Sequence, residues 1–520
     1  MSARAAAPPK RARQAVEALL RERLGHRGFS AGLELEAGKA AAVAESRFRG
    51  RRDLRALHTF TVDPATARDF DDAISAQRED DGARIWVHIA DVAAHVPPGS
   101  GLDEEARRRC NSTYVPGAVE PMLPHALSSG ACSLAPDVDR LAVTAEIELG
   151  PGAEPRQARF YRSLIRSDAR FDYDQLDVIF SGRAEAPEDV AEPLAVAREV
   201  AAALGDRPSS TRLDIESFEP EFRFDSEGNV TGARGVAQTE SHRLIERLMI
   251  LTNEQVAQLL ERRRAPAIYR VHGQPDPPRV ERLVGQLHAL GVPTPPLRAG
   301  LSAREAGAVA AEASRLATRE AGRRGHGREA YTSLVLRSLK PAQYNERNSG
   351  HAGLGSPAYC HFTSPIRRYP DLIVHRALLA AIGEGEAAPG LGEARVVAQR
   401  CSESERESTK IERDADDVCA AYLLDRELFE RGWEQKFEGE VSGVIQAGAF
   451  VAFAGELADV YEGFVPARLM RGEYFELNQT ETALVGRKTG TTVRLGDPIS
   501  VKVGRIDGPA GRVDLEPAGG

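Results

Sequence analysis

The sequence predicts an α+β, multidomain chain: a small basic helical module over residues 1–55, a mixed α/β core over 56–430, and a five-stranded OB-type β-barrel over 431–520. Three observations predict this. Val16, Leu19, Leu20 and Leu24 recur at helical spacing, as one buried helix face requires. From about residue 56, alternating runs and long amphipathic runs share the chain. Near 431 the texture changes to short, glycine-bearing alternating segments. About five such strands in a short C-terminal stretch fit a small barrel of the single-strand-binding kind.

The elements follow in order. Residues 1–10 read as a disordered tail. Gly25 ends the first helix, and a second, Ala-rich helix is expected over 36–46. The pair is either a helix-turn-helix-like RNA contact or a packing cap. His58-Thr-Phe-Thr-Val-Asp63 reads as a strand that delivers Asp63 at its end, and Arg84-Ile-Trp-Val-His-Ile-Ala-Asp91 as another. Residues 140–149 and 158–166 are further strands. A helix over 239–262 carries Ile245, Leu248, Met249, Thr252, Val256 and Leu259 on one face. Residues 276–340 are mostly helical, Gly- and Pro-bearing loops fall near 181–192 and 383–395, and a last long helix spans 396–430. The barrel strands begin at Phe437, Gly448, Gly463 and Arg494.

Bulk properties exclude more than they select. Net charge is −9, so total charge does not announce a polyanion binder. Its distribution says more: residues 1–55 hold 13 Lys and Arg against 6 Asp and Glu. The run Arg47-Phe-Arg-Gly-Arg-Arg-Asp-Leu-Arg55 is either a basic approach for a polyanion or a solvated charge run. Cys110, Cys132, Cys360, Cys401 and Cys419 form no CxxC pair, which reads as reduced thiols of a cytoplasmic protein. No apolar run approaches the roughly 18 residues of a membrane span.

The chemistry concentrates in Asp63-Pro-Ala-Thr-Ala-Arg-Asp69-Phe-Asp71-Asp72-Ala. Carboxylates so crowded repel one another, and some would stay protonated. A divalent cation lets several ionise together, and hard oxygen donors suit Mg²⁺, or Mn²⁺, rather than zinc. A calcium loop of the EF-hand kind needs glycine at its sixth position and glutamate at its twelfth, and neither is present. Aspartate-held metal suits phosphodiester hydrolysis. The second motif, His361-Phe-Thr-Ser-Pro-Ile-Arg367-Arg368-Tyr369-Pro-Asp371, stiffens a turn and offers two guanidinia to phosphate oxygens. His88, His361 and His375 read as hydrogen-bonded scaffold rather than ligands.

Together these two motifs resemble the RNase II/RNase R family of 3′→5′ exoribonucleases and its RNB catalytic domain. VHIADV (87–92), YVPGAVEPMLP (114–124), SHRLIERLMILTNE (241–254), YRVHGQPDP (269–277) and STKIERDADD (408–417) support the resemblance, which covers roughly residues 50–516. It implies hydrolysis by a two-metal scheme, with Asp63, Asp69, Asp71 and Asp72 holding the metal and Asp71 the most catalysis-specific. Arg367 matches an arginine on the scissile phosphate, and Arg368 stands beside it as a further substrate contact. Glu412 matches an acidic residue near the 3′ nucleotide, Tyr114 an aromatic stacked on the terminal base, and Tyr173 one that seats the 3′ end. The implied partner is single-stranded RNA with a free 3′ end, degraded processively to nucleoside 5′-monophosphates by a monomer with no membrane association. A binding-only protein of the same fold and a single-strand DNA exonuclease are the rivals.

The sequence departs from the family in three places. About 55 residues precede the catalytic part, too few for the usual pair of cold-shock barrels. His351-Ala-Gly-Leu354 replaces the usual His-Phe-Gly-Leu. In the terminal barrel Ala447 and Pro466 stand where an aromatic and a histidine are usual, leaving Phe450, with Phe464 and Arg468, as the expected stacking platform.

Overall fold

The computed structural model describes residues 11–25, 28–42, 48–207, 219–470 and 473–518. The expected tail over 1–10, and the part of the second helix expected over 43–46, lie outside them. α1 (Ala12–Leu24) forms where expected and ends at Gly25, whose φ of +64 suits a residue without Cβ. It buries Val16 and Leu20. α2 (Ala31–Ala41) begins five residues earlier than expected, because the Ser30 hydroxyl accepts the Leu33 N–H and caps it. The two helices pack on different parts of the body.

A seven-stranded sheet forms the base of the core. Its strands are β1 (Arg52–Asp53), β2 (Phe60–Val62), β3 (Asp72–Glu79), β4 (Gly82–Ala90) and, after α3 (Gly101–Arg109) and the hairpin β5 (Thr113–Val115) and β6 (Ala118–Glu120), β7 (Asp139–Leu149), β8 (Pro155–Arg166) and β9 (Ala169–Phe171). The spatial order is β1-β8-β7-β4-β3-β2-β9. β3, β4, β7 and β8 are antiparallel, while β1 joins β8 and β9 joins β2 in parallel. Gly82 makes the β3–β4 turn possible: φ is +134, and a Cβ would lie 1.9 Å from the Leu149 carbonyl oxygen.

Helices then cover the sheet. α4 (Tyr173–Phe180) and α5 (Glu188–Gly205) are followed by the hairpin β10 (Glu219–Phe224) and β11 (Val230–Val236), α6 (Glu240–Arg262) and β12 (Tyr269–Val271). α7 (Pro277–Ala289), α8 (Ala303–Arg324), α9 (Arg328–Ser338), β13 (Gln343–Asn345), α10 (Tyr369–Ile382) and α11 (Leu391–Arg431) complete the core. α5 begins within the stretch 181–192 that reads in sequence as a loop. Its buried Val190, Leu194, Ala197 and Ala201 follow helical spacing, and this buried face holds the helix together across the interior Pro193, which has no N–H to donate. α10 is buried on nearly every side. The 41-residue α11 joins two cores. Its Ala394, Val397, Ala398 and Cys401 pack with the sheet, and its Ile411, Ala415, Val418 and Leu424 pack with α1 and the C-terminal strands.

Those strands are β14 (Lys436–Ile445), β15 (Gly448–Phe453), β16 (Tyr461–Pro466), β17 (Phe475–Leu477), β18 (Ala483–Gly486), β19 (Thr492–Arg494), β20 (Pro498–Asp507) and β21 (Arg512–Pro517). Five of them close a barrel in the order β14-β15-β16-β21-β20, and β17–β19 form a separate three-stranded sheet. Buried Glu427 of α11 fastens the barrel to the core: it accepts from the Glu456 and Leu457 N–H groups and from the Tyr461 hydroxyl.

Candidate active site

The aspartate segment links the end of β2 to the start of β3, so a rigid sheet fixes both of its ends. The Asp63 N–H donates to the Phe171 carbonyl. Between the ends the loop is stapled from outside. Arg170 Nη2 donates to the Pro64 and Ala65 carbonyls, and its guanidinium lies 5.0 Å from the Phe70 ring centre. Ser133 Oγ accepts the Phe70 N–H and donates to the Arg68 carbonyl.

The arginine motif meets this loop from the other end of the chain. The Ile366 N–H donates to Asp71 Oδ1 at 2.8 Å, and Arg367 Nε approaches Asp71 Oδ2 at 3.3 Å. Asp371, fully buried, accepts from the Ser364 N–H and from Arg368 Nη2, both at 2.8 Å, which locks the turn. Of the two guanidinia, Arg367 keeps 45% of its side chain open and Arg368 only 22%. Arg367 therefore faces the cleft, and Arg368 supports the turn behind it.

The structure also places the remaining expected residues. The Tyr114 hydroxyl donates to Asp69 Oδ2 at 2.7 Å, and the Tyr114 N–H donates to Glu412 Oε1 at 3.0 Å. Tyr173, at the start of α4, stacks on His242 of α6 with ring centres 3.8 Å apart. The Asp72, Asp63 and Arg367 charges all act on its phenol, which burial pushes upward first. Phe450 lies apart from this group, on β15, half-buried beside its cross-strand partner Phe464 at 5.1 Å. His88 bridges Ser75 and Thr144, His361 bonds the Tyr344 hydroxyl, and His375 bonds the Phe362 carbonyl.

Three arginines of the basic run before the aspartates are ion-paired within the fold, while Arg49 is exposed. Arg51 pairs with buried Asp91, Arg52 with Glu146, and Arg55 with Asp53 and Asp139. Arg47 lies outside the described residues. Sequence alone gave no hint of the clasps formed by Arg170, Ser133 and His242, because each is a tertiary contact, whereas Asp371 closes a turn within its own motif. Asp371 and His242 fall inside motifs that drew notice, but neither motif shows what its residue touches.

Electrostatics give the cluster its character. Burial, then the neighbouring Asp72 and Asp71, push Asp63 up to about 8. Burial pushes Asp71 up to about 8 against the pull of Arg367 and the Ile366 N–H, and Asp72 up to about 6 against Arg367 and Arg368. Asp63 Oδ2 is buried with no hydrogen-bond partner. Among the described residues no three His, Cys, Asp or Glu side chains already stand as a ready-made metal cage; Asp69 bonds Tyr114 and Asp71 faces Arg367. An orphaned carboxylate oxygen among carboxyls that resist ionisation is nonetheless the donor set a hard divalent cation fits.

A pH prediction follows. Folded pKa values above the unfolded ones mean that the native state holds extra protons between about pH 4 and 8, so stability falls as pH rises through that window. Without metal the protein is expected to melt lower at pH 8 than at pH 6. Added Mg²⁺ should raise the melting temperature more at pH 8, where fewer protons must be displaced. Calorimetry with and without a chelator checks both signs.

Comparison with known proteins decides the family. A family model for the RNB domain matches residues 51–384, well over half of the chain. The chain belongs to the RNB family. Ribonuclease R of Vibrio parahaemolyticus is 34% identical over 494 residues, covering 91% of this chain and 57% of the relative. Ribonuclease R of Escherichia coli is 33% identical over 498 residues, covering 92% and 59%. This RNB chain thus spans rather more than half the length of those relatives. Mycoplasma genitalium RNase R, solved in complex with ribose-methylated single-stranded RNA, superposes with a TM-score of 0.87 at 27% identity, covering 96% of this chain and 77% of that one. Yeast Ssd1, described as a pseudonuclease, shares the fold at 16% identity and a TM-score of 0.68. The RNB fold therefore does not by itself establish catalysis.

Proposed function

We propose that this chain is a hydrolytic 3′-to-5′ exoribonuclease that takes single-stranded RNA by its 3′ end and processively releases nucleoside 5′-monophosphates. The observation that carries the reading is the junction of two segments nearly 300 residues apart, in which Ile366 and Arg367 close on Asp71. That junction sets an open guanidinium against a carboxylate cluster with unmet demand for positive charge. Asp63, Asp69, Asp71 and Asp72 would hold Mg²⁺, or Mn²⁺, in a two-metal site. When bound, these ions supply an activated water and charge stabilisation for the leaving oxygen.

The chain's own residues do the rest. Arg367 reaches the scissile phosphate and stabilises charge that builds on its oxygens. Arg368, tied to Asp371, holds the turn and adds positive potential from behind. Tyr114 offers its face to the terminal base, and stacking of this kind accepts any base. Tyr173, braced by His242, seats the 3′ nucleotide, and Glu412 fixes the backbone of Tyr114 beside it. Tyr114 bonds Asp69 at Oδ2, so the residue that would seat the base is tied to a carboxylate that would hold metal.

The C-terminal barrel is read as OB-type, with Phe450 and Phe464 as its stacking pair. Phe450→Ala should weaken binding of a long single-stranded RNA by about 1–3 kcal/mol, the value of one stacked base. It should leave turnover of a very short RNA unchanged. Filter binding and single-turnover assays on the two lengths test this. The reading as a whole is tested by product analysis. Uniformly labelled RNA with Mg²⁺ should yield nucleoside 5′-monophosphates, and a chelator should stop the reaction. Products ending in 3′-phosphate, or activity indifferent to the chelator, contradict it.

A further inference from the structure

The Arg368 side of the arginine turn carries a chain of rings that the proposed chemistry does not use. His272 and His351 stand 5.2 Å apart between ring centres, His351 and Tyr359 5.3 Å, Tyr359 and His361 5.8 Å, and His361 and Tyr344 5.5 Å. The Arg270 guanidinium lies 4.8 Å from the Tyr344 ring centre and pairs with Glu405 of α11. A buried histidine ordinarily commits both ring nitrogens to the fold. His272 does so: its Nδ1 accepts the Gly353 N–H at 2.9 Å, and its Nε2 donates to the Lys340 carbonyl at 2.6 Å.

His351 and His361 do not. His351 Nδ1 accepts the Leu354 N–H at 3.3 Å. A backbone N–H only donates, so the ring proton of His351 sits on Nε2. His361 Nδ1 faces the Tyr344 hydroxyl at 2.8 Å, and that hydroxyl, on a buried residue, meets no other acceptor among the described residues. The hydroxyl therefore donates, and His361 too carries its proton on Nε2. Neither Nε2 has a partner among the described residues, yet both rings are partly open. His375 Nδ1, by contrast, is sealed without a partner. Burial, then His272 and Arg270, push His351 down to about 3, and burial, then Arg368 and Arg270, push His361 well below the ordinary imidazole value. Both rings are thus neutral, and each offers one N–H to an acceptor from outside the fold.

We propose that His351 and His361 form a phosphodiester subsite, in which each imidazole N–H donates to a backbone phosphate oxygen of a bound RNA strand. The leading charges that bear on His361 are those of Arg368, Arg270 and Arg367, all cations, so an anionic acceptor is favoured there. The subsite is additional to the contact of Arg367 with the scissile phosphate. Hydrogen bonds from neutral donors are about half as strong as those from charged groups. Two of them hold a strand against drift yet release it readily, as a strand that steps forward after each cut requires. The subsite deepens the RNA reading above and rests on it; it requires a bound strand and not a cut.

The test measures binding of a labelled single-stranded RNA to the full chain in a chelator, so that nothing is cleaved, over a range of salt. His351→Phe and His361→Phe keep a ring and lose the donor, and His361→Gln returns an N–H near the place of Nε2. Each Phe variant should bind about three- to tenfold more weakly, as the loss of one neutral hydrogen bond does. The slope of log affinity on log salt should not move, because it counts cations on phosphates, whereas Arg367→Ala should flatten it. His361→Gln should recover most of the affinity. RNAs with a single neutral methylphosphonate linkage should reveal one position that weakens wild type but not His361→Phe. The two histidines are tested separately, so a misfolded variant of one leaves the other to decide. Wild-type affinity in both Phe variants, a flattened slope, or a loss that Gln does not restore overturns the subsite. Wild type that binds no RNA overturns the subsite and the RNA reading together. RNA bound by wild type but left intact when Mg²⁺ is added defeats the nuclease reading alone and leaves the subsite standing.

Discussion

Asp71→Asn is expected to leave RNA bound and undegraded. Asp71 is 3% exposed and is held at one oxygen by the Ile366 N–H. Asparagine keeps the shape and that acceptor but removes the charge which faces Arg367 and which would hold metal. If the site supplies about 4 kcal/mol of charge stabilisation through this carboxylate, turnover should fall on the order of a thousand-fold. Stability should move the other way. Burial already pushes Asp71 up to about 8, so a neutral side chain relieves a buried charge at that pH and the metal-free variant should melt no lower than wild type at pH 8. Equal loss of binding, turnover and melting temperature would show that Asp71 serves packing alone.

Arg367→Ala is expected to cut turnover by about 10²–10³-fold, the usual cost of removing one preorganised charge partner of a developing oxyanion. Arg367→Lys should recover little, because an ammonium lacks the planar fork that meets two phosphate oxygens. A second readout separates this from a folding defect. Arg367 is the leading charge that pulls Asp71 and Asp72 down. Its removal should shift the acidic limb of the pH–rate profile toward higher pH. A variant with reduced turnover and an unmoved profile would place Arg367 away from the aspartates during the reaction.

What the sequence made legible follows the physics of each feature. The four aspartates are neighbours in the chain, so their crowding is visible without a fold. The union of Asp71 with Ile366 and Arg367 is not, and only the family resemblance joined those motifs in advance. α1 and α6 announced themselves because one face of each is apolar at helical spacing. The loop expected near 181–192 overlaps only the first five residues of α5, and Pro187, which suggests a break, stands at the helix cap. The barrel strands alternate cleanly, whereas β17–β19, of three or four residues each, are too short to show a period. Arg51, Arg52 and Arg55 looked like a polyanion approach because their partners Asp91, Glu146 and Asp139 lie far away in sequence.

The most direct test of the central claim uses 5′-labelled single-stranded RNA and its DNA counterpart with Mg²⁺, resolved on a denaturing gel for wild type and Asp71→Asn. The account predicts a ladder shortening from the 3′ end on RNA, little on DNA, and none with the variant. RNA that is bound but stays intact with wild type would contradict it and leave a binding protein built on a nuclease fold.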